Sequence, residues 1–492
     1  MKNRSLILCT ALLLTLVCSA LHAQESAPQR KEGEVWYEPF KITSSGKTIE
    51  TELGRVTVRE NRAKKDSRLI ELAFVRLKST AEKPASPVVF LDGGPGSSPI
   101  GLASIPDFMA LFQKLREAGD VILLDQRGIG RSKPNLSRVS LESLPLNMFA
   151  EKEVAQKVFN DRARAAADHF RSQGVDITGY NSRESAHDVD DLRKALGAAK
   201  VNLVGFSYGT HLGLACLRYH SANIDRVVLF GTEGPDHTDK LPGTSDKSIK
   251  NLARIAAADA EIGAKVPDLS ATLKRVLDRL EKEPVAVTVT DRRGNKPVEL
   301  KIGKFGLQFL IMRDLGDSND LPIFPLWFYT MDKGDYSVLA RFAERRYNQY
   351  GAGVSLMTIM TDGASGASKK RREQIEREAK TALLGDIVNF PSFAIEGVTE
   401  GIDLGDEYRS PIRTAVPVLF ISGDLDNNTP PFQADEVRKF FTNSRHIVIG
   451  NAGHESTLTD PRVQQATVDY LLGRDVSKAQ ISLPPLKFVP IP

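Results

Sequence analysis

Short, nearly continuous runs of apolar residues recur along most of the chain. They lie at residues 87–91, 121–124, 201–204, 226–230, 416–421 and 446–449. Such runs are typical of strands in a parallel sheet that is covered by helices on both faces. Segments with helical periodicity lie between them, and the clearest is residues 184–196, which end at Gly197. The pattern therefore predicts an α/β protein with a mostly parallel sheet.

Two regions depart from this alternation. Residues 31–78 alternate polar and apolar positions, which is typical of antiparallel strands with one solvated face. After residue 230 the strand pattern stops for about 180 residues, far longer than an ordinary connection. This stretch is mostly helical in character, apart from a hairpin pattern at residues 285–302. We interpret it as a largely helical cap, residues 236–412, inserted after the sixth strand between the two parts of one core, residues 24–235 and 413–492.

The N-terminal residues predict export. Lys2 and Arg4 precede an apolar run over residues 6–20, and small residues follow up to Ala23. This is the layout of a secretory signal peptide, so we expect residues 1–23 to be removed and the protein to be periplasmic or secreted. No other segment approaches the ~20 apolar residues of a membrane-spanning helix, and we expect no stable membrane insertion.

Composition narrows the functional classes. The chain has 492 residues, of which 41% are hydrophobic and 26% charged, as in ordinary globular proteins. The formal charge of +4 is small for this length and gives no basis for nucleic-acid binding. Cys216 is the one cysteine after residue 23, and we interpret it as a buried apolar side chain. We expect no metal and no cofactor, and the sequence leaves the oligomeric state open.

The central motif surrounds Ser207. Gly205 and Gly209 stand two residues either side of it, after an apolar strand and before a helix-compatible run. In a nucleophile elbow the serine occupies a sharp strand-to-helix turn, and the glycines keep side chains from clashing there. Because the motif has this strand before it and this helix after it, we predict Ser207 as the nucleophile of a hydrolase.

A glycine-rich turn, residues 92–98, directly follows the apolar run at 87–91. Backbone amides in such a turn can point at the place where a tetrahedral intermediate develops negative charge. We predict that the two donors are the amides of Gly94 and of Tyr208, the residue after the nucleophile.

The partners of the serine should follow later in the chain, in the order acid, then histidine. Asp424 and Asp426 both lie in the loop after the strand at 416–421, and His454 lies in the loop after the last strand. Both loops leave the same edge of a parallel sheet as the elbow, where ligand sites gather. His454 is the expected general base, and the motif context alone leaves both carboxylates open as its partner.

Taken together, these residues resemble a known family. Residues 92–96 and 125–132, Ser207 in its elbow, Asp426 and His454 resemble the proline iminopeptidase and tripeptidyl aminopeptidase branch of the α/β-hydrolases. The resemblance covers residues 88–229 and residue 416 onward. It implies the α/β-hydrolase fold and favours Asp426 as the acid, because the family places it three residues after a glycine. It also implies that residues 125–132 are chiefly structural.

The resemblance further implies an aminopeptidase that removes N-terminal residues or short peptides, with acidic side chains holding the free amine. Candidates are Glu233, just after a core strand, and Glu396 or Glu400, late in the cap. An esterase or lipase that hydrolyses small acyl substrates uses the same triad, so it remains an alternative. A non-catalytic binding protein on this scaffold is a second alternative, although the three triad residues stand in the expected order.

Overall fold

The computed structural model describes residues 30–137, 139 and 142–492. The signal peptide predicted for residues 1–23 lies outside these residues. The strands are β1 (Val35–Ser44), β2 (Lys47–Arg59), β3 (Leu69–Leu77), β4 (Val88–Leu91), β5 (Val121–Asp125), β6 (Val201–Phe206), β7 (Ile224–Phe230), β8 (Val285–Asp291), β9 (Lys296–Ile302), β10 (Val418–Gly423) and β11 (Ser444–Ile449).

The helices alternate with these strands in the core and dominate the cap. They are α1 (Pro99–Leu102), α2 (Pro106–Leu115), α3 (Lys152–Ser172), α4 (Ser182–Ala195), α5 (Tyr208–His220), α6 (Pro242–Ala258), α7 (Ala260–Lys265), α8 (Leu269–Lys282), α9 (Lys304–Asp314), α10 (Phe324–Asp332), α11 (Ser337–Gly351), α12 (Leu356–Ser365), α13 (Lys369–Ala379), α14 (Gly405–Arg409), α15 (Pro431–Arg438), α16 (Ser456–Thr459) and α17 (Pro461–Leu471).

Nine strands form one sheet in the order β1-β2-β3-β5-β4-β6-β7-β10-β11. The first three strands pair antiparallel, and β3 joins β5 antiparallel. Along this order, every neighbouring pair from β5 to β11 is parallel. The expected mostly parallel sheet is confirmed. The apolar runs do form its strands, and every residue of β4, β6 and β10 is buried.

Successive side chains of these strands serve two different cores, since they point to opposite faces of the sheet. Phe90 packs on one face, where the ring of Phe112 on α2 lies 5.0 Å away between centroids. Its neighbour Val89 faces the other side and belongs to a cluster with Leu212 of α5. Helices therefore cover both faces of the sheet, and neither face of its central strands is exposed to solvent.

The inserted region lies between β7 and β10 and contains α6 to α14 with the hairpin β8–β9. It follows the seventh strand of the chain and not the sixth, because the segment from Val35 to Leu77 forms three strands. Its apolar core centres on residues such as Trp327 and Phe328, and it also takes in Phe149 and Ile491 from outside the insertion. The boundaries 236–412 stay a prediction.

Helices long and apolar enough to cross a membrane are absent from the part of the chain that the structure describes.

Candidate active site

Ser207 occupies the turn between β6 and α5. Its backbone has φ 54° and ψ −125°, a conformation that non-glycine residues rarely adopt and that is typical of a strained nucleophile elbow. The turn is held by its own backbone, because Ser207 N donates to Phe230 O on the neighbouring strand at 2.9 Å. Thr210 Oγ1 donates to Ser207 O at 2.7 Å. The side chain is half-buried at the carboxyl edge of the sheet.

The two glycines of the elbow are required by close packing. A Cβ on Gly205 would lie 2.6 Å from the carbonyl oxygen of Gly209, and a Cβ on Gly209 would lie 1.9 Å from that of Leu91. Real Cβ atoms do not approach backbone oxygens so closely, so larger residues would force the strand and helix apart. The Gly-x-Ser-x-Gly spacing thus follows from the geometry of this turn.

The glycine-rich turn after β4 passes directly beside the serine. A Cβ on Gly93 would lie 2.7 Å from Ser207 Cβ, and Gly94 has φ +111°, which favours glycine. Tyr208 is the first residue of α5, where helix amides have no partner within the helix. Within the described residues, neither the Gly94 amide nor the Tyr208 amide donates a hydrogen bond.

The carboxylate of Asp125 holds this turn in place through hydrogen bonds. Asp125, at the end of β5, accepts hydrogen bonds from Ser98 Oγ at 2.6 Å and from the amides of Ile100 at 3.2 Å and Arg131 at 2.8 Å. The buried Arg127 next to it binds Asp188 with two nitrogens, at 2.7 and 2.6 Å. Residues 125–132 therefore have the structural contacts that the resemblance implied.

Asp426 and His454 form a buried pair. His454 Nδ1 donates to Asp426 Oδ2 at 2.8 Å, and Thr429 Oγ1 donates to the same oxygen at 2.7 Å. The other carboxylate oxygen accepts the amides of Asn428 at 2.8 Å and Thr429 at 2.9 Å. Asp424 instead accepts the amide of Ala452 at 3.3 Å. Of the two candidate carboxylates, Asp426 is the one that binds the imidazole.

This pair shifts both pKa values in favour of the charged forms. Burial acts to raise the pKa of Asp426, but His454 and the Thr429 donors outweigh it and hold that pKa below its usual value. Burial acts to lower the pKa of His454, but the Asp426 carboxylate raises it above its usual value. The imidazole is thus prepared to take up a proton.

His454 contacts the residue that precedes the serine. The ring of Phe206, directly before Ser207, lies 4.7 Å from the His454 ring between centroids. Among the described residues, the hydrogen bonds of His454 Nδ1 go to Asp426 and Thr429, and none joins Ser207 Oγ to the imidazole. In proteins without bound substrate, catalytic hydrogen bonds are often long and shorten only in the complex.

A cavity of about 620 Å³ opens between the glycine-rich turn and the cap. Gly94 and Pro95 line it on the core side, and Glu233 lines it together with cap residues. Glu233 is buried, and its Oε2 binds Lys240 Nζ at 2.5 Å. Burial acts to raise the pKa of Glu233, but Lys240 and His211 outweigh it and lower that pKa.

Two further carboxylates of the cavity, Asp239 and Asp362, have no such partner. Within the described residues, no hydrogen bond or ion pair reaches either carboxylate. Burial raises the pKa of Asp362 well above its usual value, and repulsion from Glu233 adds to this. Burial also raises the pKa of Asp239. Two other acids of the cavity are paired: Asp386 with Lys152 and Asp403 with Arg409.

The two remaining acidic candidates lie elsewhere. The Glu396 side chain is 85% exposed, and its Oε2 lies 3.9 Å from Arg164 Nη2. Glu400 is exposed as well. Neither residue lines the cavity, so the structure brings Glu233, but not Glu396 or Glu400, close to the glycine-rich turn.

Comparison with known families agrees with this architecture. Residues 86–461 match the family described as the alpha/beta hydrolase fold, and this match spans β4 to the start of α17. The chain belongs to the α/β-hydrolase family.

Two relatives of this α/β-hydrolase are peptidases. Similarity to a tripeptidyl aminopeptidase of Streptomyces lividans reaches 27% identity over 199 residues, which cover 38% of this chain and 34% of the relative. Similarity to the serine protease Hip1 of Mycobacterium tuberculosis reaches 28% identity over 195 residues, covering 37% and 36%. The chain spans about a third of the length of the curated relatives it matches.

Among solved structures, this α/β-hydrolase is similar to a thermophilic esterase from Thermogutta terrifontis. The TM-score is 0.35 at 15% sequence identity, and the match covers 89% of this chain and 98% of the esterase.

Asp362 of this α/β-hydrolase was not among the residues predicted from the sequence. A signal was nevertheless present, because Thr358, Asp362 and Ser365 are polar residues of α12 at spacings of four and three. Such spacing places polar side chains on one face of a helix.

In the part of the chain that the structure describes, no cluster of three or more His, Cys, Asp or Glu side chains could hold a metal ion.

Proposed function

We propose that this α/β-hydrolase is a serine aminopeptidase that cleaves peptides with a free N-terminus. Ser207 is the nucleophile, His454 the general base and Asp426 the carboxylate that orients the imidazole. The amides of Gly94 and Tyr208 form the oxyanion hole. The elbow conformation of Ser207, the 2.8 Å bond between His454 and Asp426, and the two unpaired amides support these roles.

The reaction has two halves. His454 Nε2 accepts the Ser207 proton while Oγ attacks the scissile carbonyl carbon, and the resulting oxyanion accepts hydrogen bonds from the two amides. As the C–N bond breaks, His454 returns the proton to the leaving amine and an acyl-enzyme remains. A water molecule then attacks this ester, again with His454 as the base, and releases the N-terminal fragment.

The observation that carries the choice of a peptide substrate is the unpaired carboxylate of Asp362 in the cavity that Gly94 also lines. A half-buried carboxylate without a partner is unfavourable, and a substrate ammonium would supply the missing charge-assisted hydrogen bonds. Asp239 is a second carboxylate of this cavity without a partner among the described residues, whereas Glu233 is neutralised by Lys240. A neutral acyl ester would leave Asp362 unpaired, so the cavity favours a cationic substrate end.

Activity on three matched substrates tests this proposal. We expect the wild-type protein to hydrolyse a tripeptidyl arylamide with a free amine far faster than its N-acetylated form. Hydrolysis of a short acyl ester should report the activity of the triad independently of the amine site. Asp362→Asn should lower kcat/KM for the free-amine substrate about 10- to 100-fold, because one charge-assisted contact is lost, and should leave ester hydrolysis within about twofold.

A matched control is Asp403→Asn, which changes a carboxylate of the same cavity that is paired with Arg409, because Arg409 lies outside the cavity lining and keeps Asp406 as a partner. This variant should keep the preference for the free amine. If the wild-type protein cleaves the acetylated and free substrates equally well, the aminopeptidase assignment is wrong and an acyl hydrolase with the same triad takes its place.

Export belongs to the proposal as well. The support is the charged and then apolar pattern of residues 1–23. N-terminal sequencing of the protein recovered from the periplasm or the medium should begin close after Ala23. Recovery of the full-length chain from the cytoplasm alone would contradict export.

A further inference from the structure

A buried polar cluster joins the nucleophile helix to the cap. His211 lies on α5, four residues after Ser207, and is 1% exposed. Its Nε2 lies 2.7 Å from the hydroxyl of Tyr408 on α14 and 3.2 Å from Ser365 Oγ on α12. Both partners are buried. We call His211, Ser365 and Tyr408 the His211 junction.

The hydrogen bonds of this junction have a definite direction. His211 Nδ1 lies 3.1 Å from the carbonyl oxygen of Gly234, which can only accept, so Nδ1 carries a proton. Burial lowers the pKa of His211 and favours the neutral ring, although the nearby Glu233 opposes this. Nε2 is therefore an acceptor, and the Tyr408 hydroxyl donates to it at 2.7 Å. The Ser365 hydroxyl shares its single proton between this nitrogen, at 3.2 Å, and Thr361 O, at 3.0 Å. Removing either hydroxyl weakens a contact between core and cap without removing apolar packing.

The helix α12 is fixed to the core at two points. Thr358 Oγ1 donates to Pro95 O at 2.6 Å, next to the Gly94 amide. Two turns later, Ser365 is the last residue of α12 and belongs to the His211 junction. Asp362 lies between these two residues on the same face, at spacings of four and three, and lines the cavity. Its carboxylate thus sits on a helix held at both ends against the elements that carry Ser207 and the oxyanion donors.

We propose that the His211 junction is a positioning element that fixes Asp362 relative to Ser207 and thereby sets how many residues the enzyme releases. The inference rests on the proposed function, in which Asp362 holds the substrate amine. The distance from the amine site to the nucleophile selects the bond that reaches Ser207, because each extended residue adds roughly 3.3–3.6 Å. A loosened α12 would hold the amine less firmly and admit more than one register.

The test uses Tyr408→Phe and Ser365→Ala, each of which removes one hydroxyl. The substrates are aminoacyl, dipeptidyl and tripeptidyl arylamides with free amines, together with a short acyl ester. For the best wild-type arylamide we expect KM to rise about tenfold, and the preference among the three lengths to shrink by a similar factor. Ester kcat should stay within about twofold, because the triad is untouched.

Tyr219→Phe is the matched control, because Tyr219 also belongs to α5 but its hydroxyl bonds Arg183 outside the junction. It should leave KM and the length preference unchanged. The double variant Tyr408→Phe with Ser365→Ala should lose less than the product of the two single losses, since both hydroxyls bond the same nitrogen. Melting temperatures verify that all variants fold.

Three results would overturn the inference, and they are distinguishable. If the wild-type protein prefers free amines but the junction variants keep its KM and its length preference, the positioning role is wrong while the proposed function stands. Equal losses on arylamides and on the ester would likewise reject it, since they indicate a general disturbance of the triad. If the wild-type protein does not prefer free amines, the proposed function fails and the positioning role fails with it.

Discussion

His454 Nδ1 and Asp426 Oδ2 lie 2.8 Å apart in a buried pair, and Thr429 donates two further hydrogen bonds to the same carboxylate. The carboxylate is therefore fixed before substrate arrives, and so is the imidazole that it holds. The carboxylate of the nearby Asp424 instead accepts a hydrogen bond from the amide of Ala452. Asp424 and Asp426 lie in the same loop but make different contacts, so we expect substitutions of the two residues to have different effects.

Asp426→Asn should lower kcat for ester and peptide substrates by about 10⁴-fold, because the imidazole loses its correct tautomer and the charge that supports its protonated form. Asp424→Asn should retain activity within a few-fold. Steady-state kinetics on both purified variants, with circular dichroism to verify folding, makes the comparison. A large loss confined to the Asp424 variant would transfer the role to that residue.

Ser207→Ala should fold like the wild-type protein and lose about 10⁴- to 10⁶-fold in kcat, because the nucleophile is gone. The elbow needs glycine at Gly205 and Gly209, where backbone oxygens crowd, but not a hydroxyl at residue 207. A fluorophosphonate probe should label the wild-type protein at Ser207 and leave this variant unlabelled. Labelling of both proteins to the same extent would place the nucleophile elsewhere.

Much of the core was predictable because local pattern and chemistry coincide there. The apolar runs predicted at residues 201–204 and 226–230 correspond to β6 and β7, each a little longer than expected. Central parallel strands are buried on both faces, so continuous apolar sequence identifies them. The predicted hairpin is confirmed as β8 paired with β9, because its alternating pattern and its turn are both local features.

The cap could be predicted only in outline. Glu396 and Glu400 were chosen for their charge and their position late in the cap, yet both are exposed. Asp362 lines the cavity because α12 is anchored through Thr358 and Ser365 to two core elements. Which face of a cap helix meets the active site depends on contacts between residues far apart in the chain. Charge and spacing along the sequence do not encode those contacts.

The raised pKa of His454 predicts the pH dependence of ester hydrolysis. Only the neutral imidazole can accept the Ser207 proton, so activity falls as the pH falls through the pKa of His454. Because Asp426 raises that pKa above its ordinary value of about 6.5, the acidic limb of kcat/KM should lie above pH 6.5. In Asp426→Asn the residual activity should show this limb at lower pH. A limb at the same pH in both proteins would mean that Asp426 does not control the imidazole.

The buried ion pair between Glu233 and Lys240 predicts a contrast between two variants. Glu233→Gln leaves Lys240 beside the cavity without its counter-charge, and the ammonium of a substrate would then meet a bare cation. We expect kcat/KM for a free-amine arylamide to fall about 10- to 100-fold. Ester hydrolysis should change little, and Glu396→Gln, at an exposed carboxylate outside the cavity, should have no effect on either substrate.

The double variant Glu233→Gln with Lys240→Met shows how Glu233 acts. If Glu233 serves only to neutralise Lys240, removing both charges should restore most of the free-amine activity, because Asp362 remains to hold the ammonium. If Glu233 itself contacts the ammonium, the double variant should stay as impaired as Glu233→Gln. We expect substantial restoration, because the carboxylate of Glu233 is already bound at 2.5 Å by Lys240, whereas that of Asp362 has no partner among the described residues.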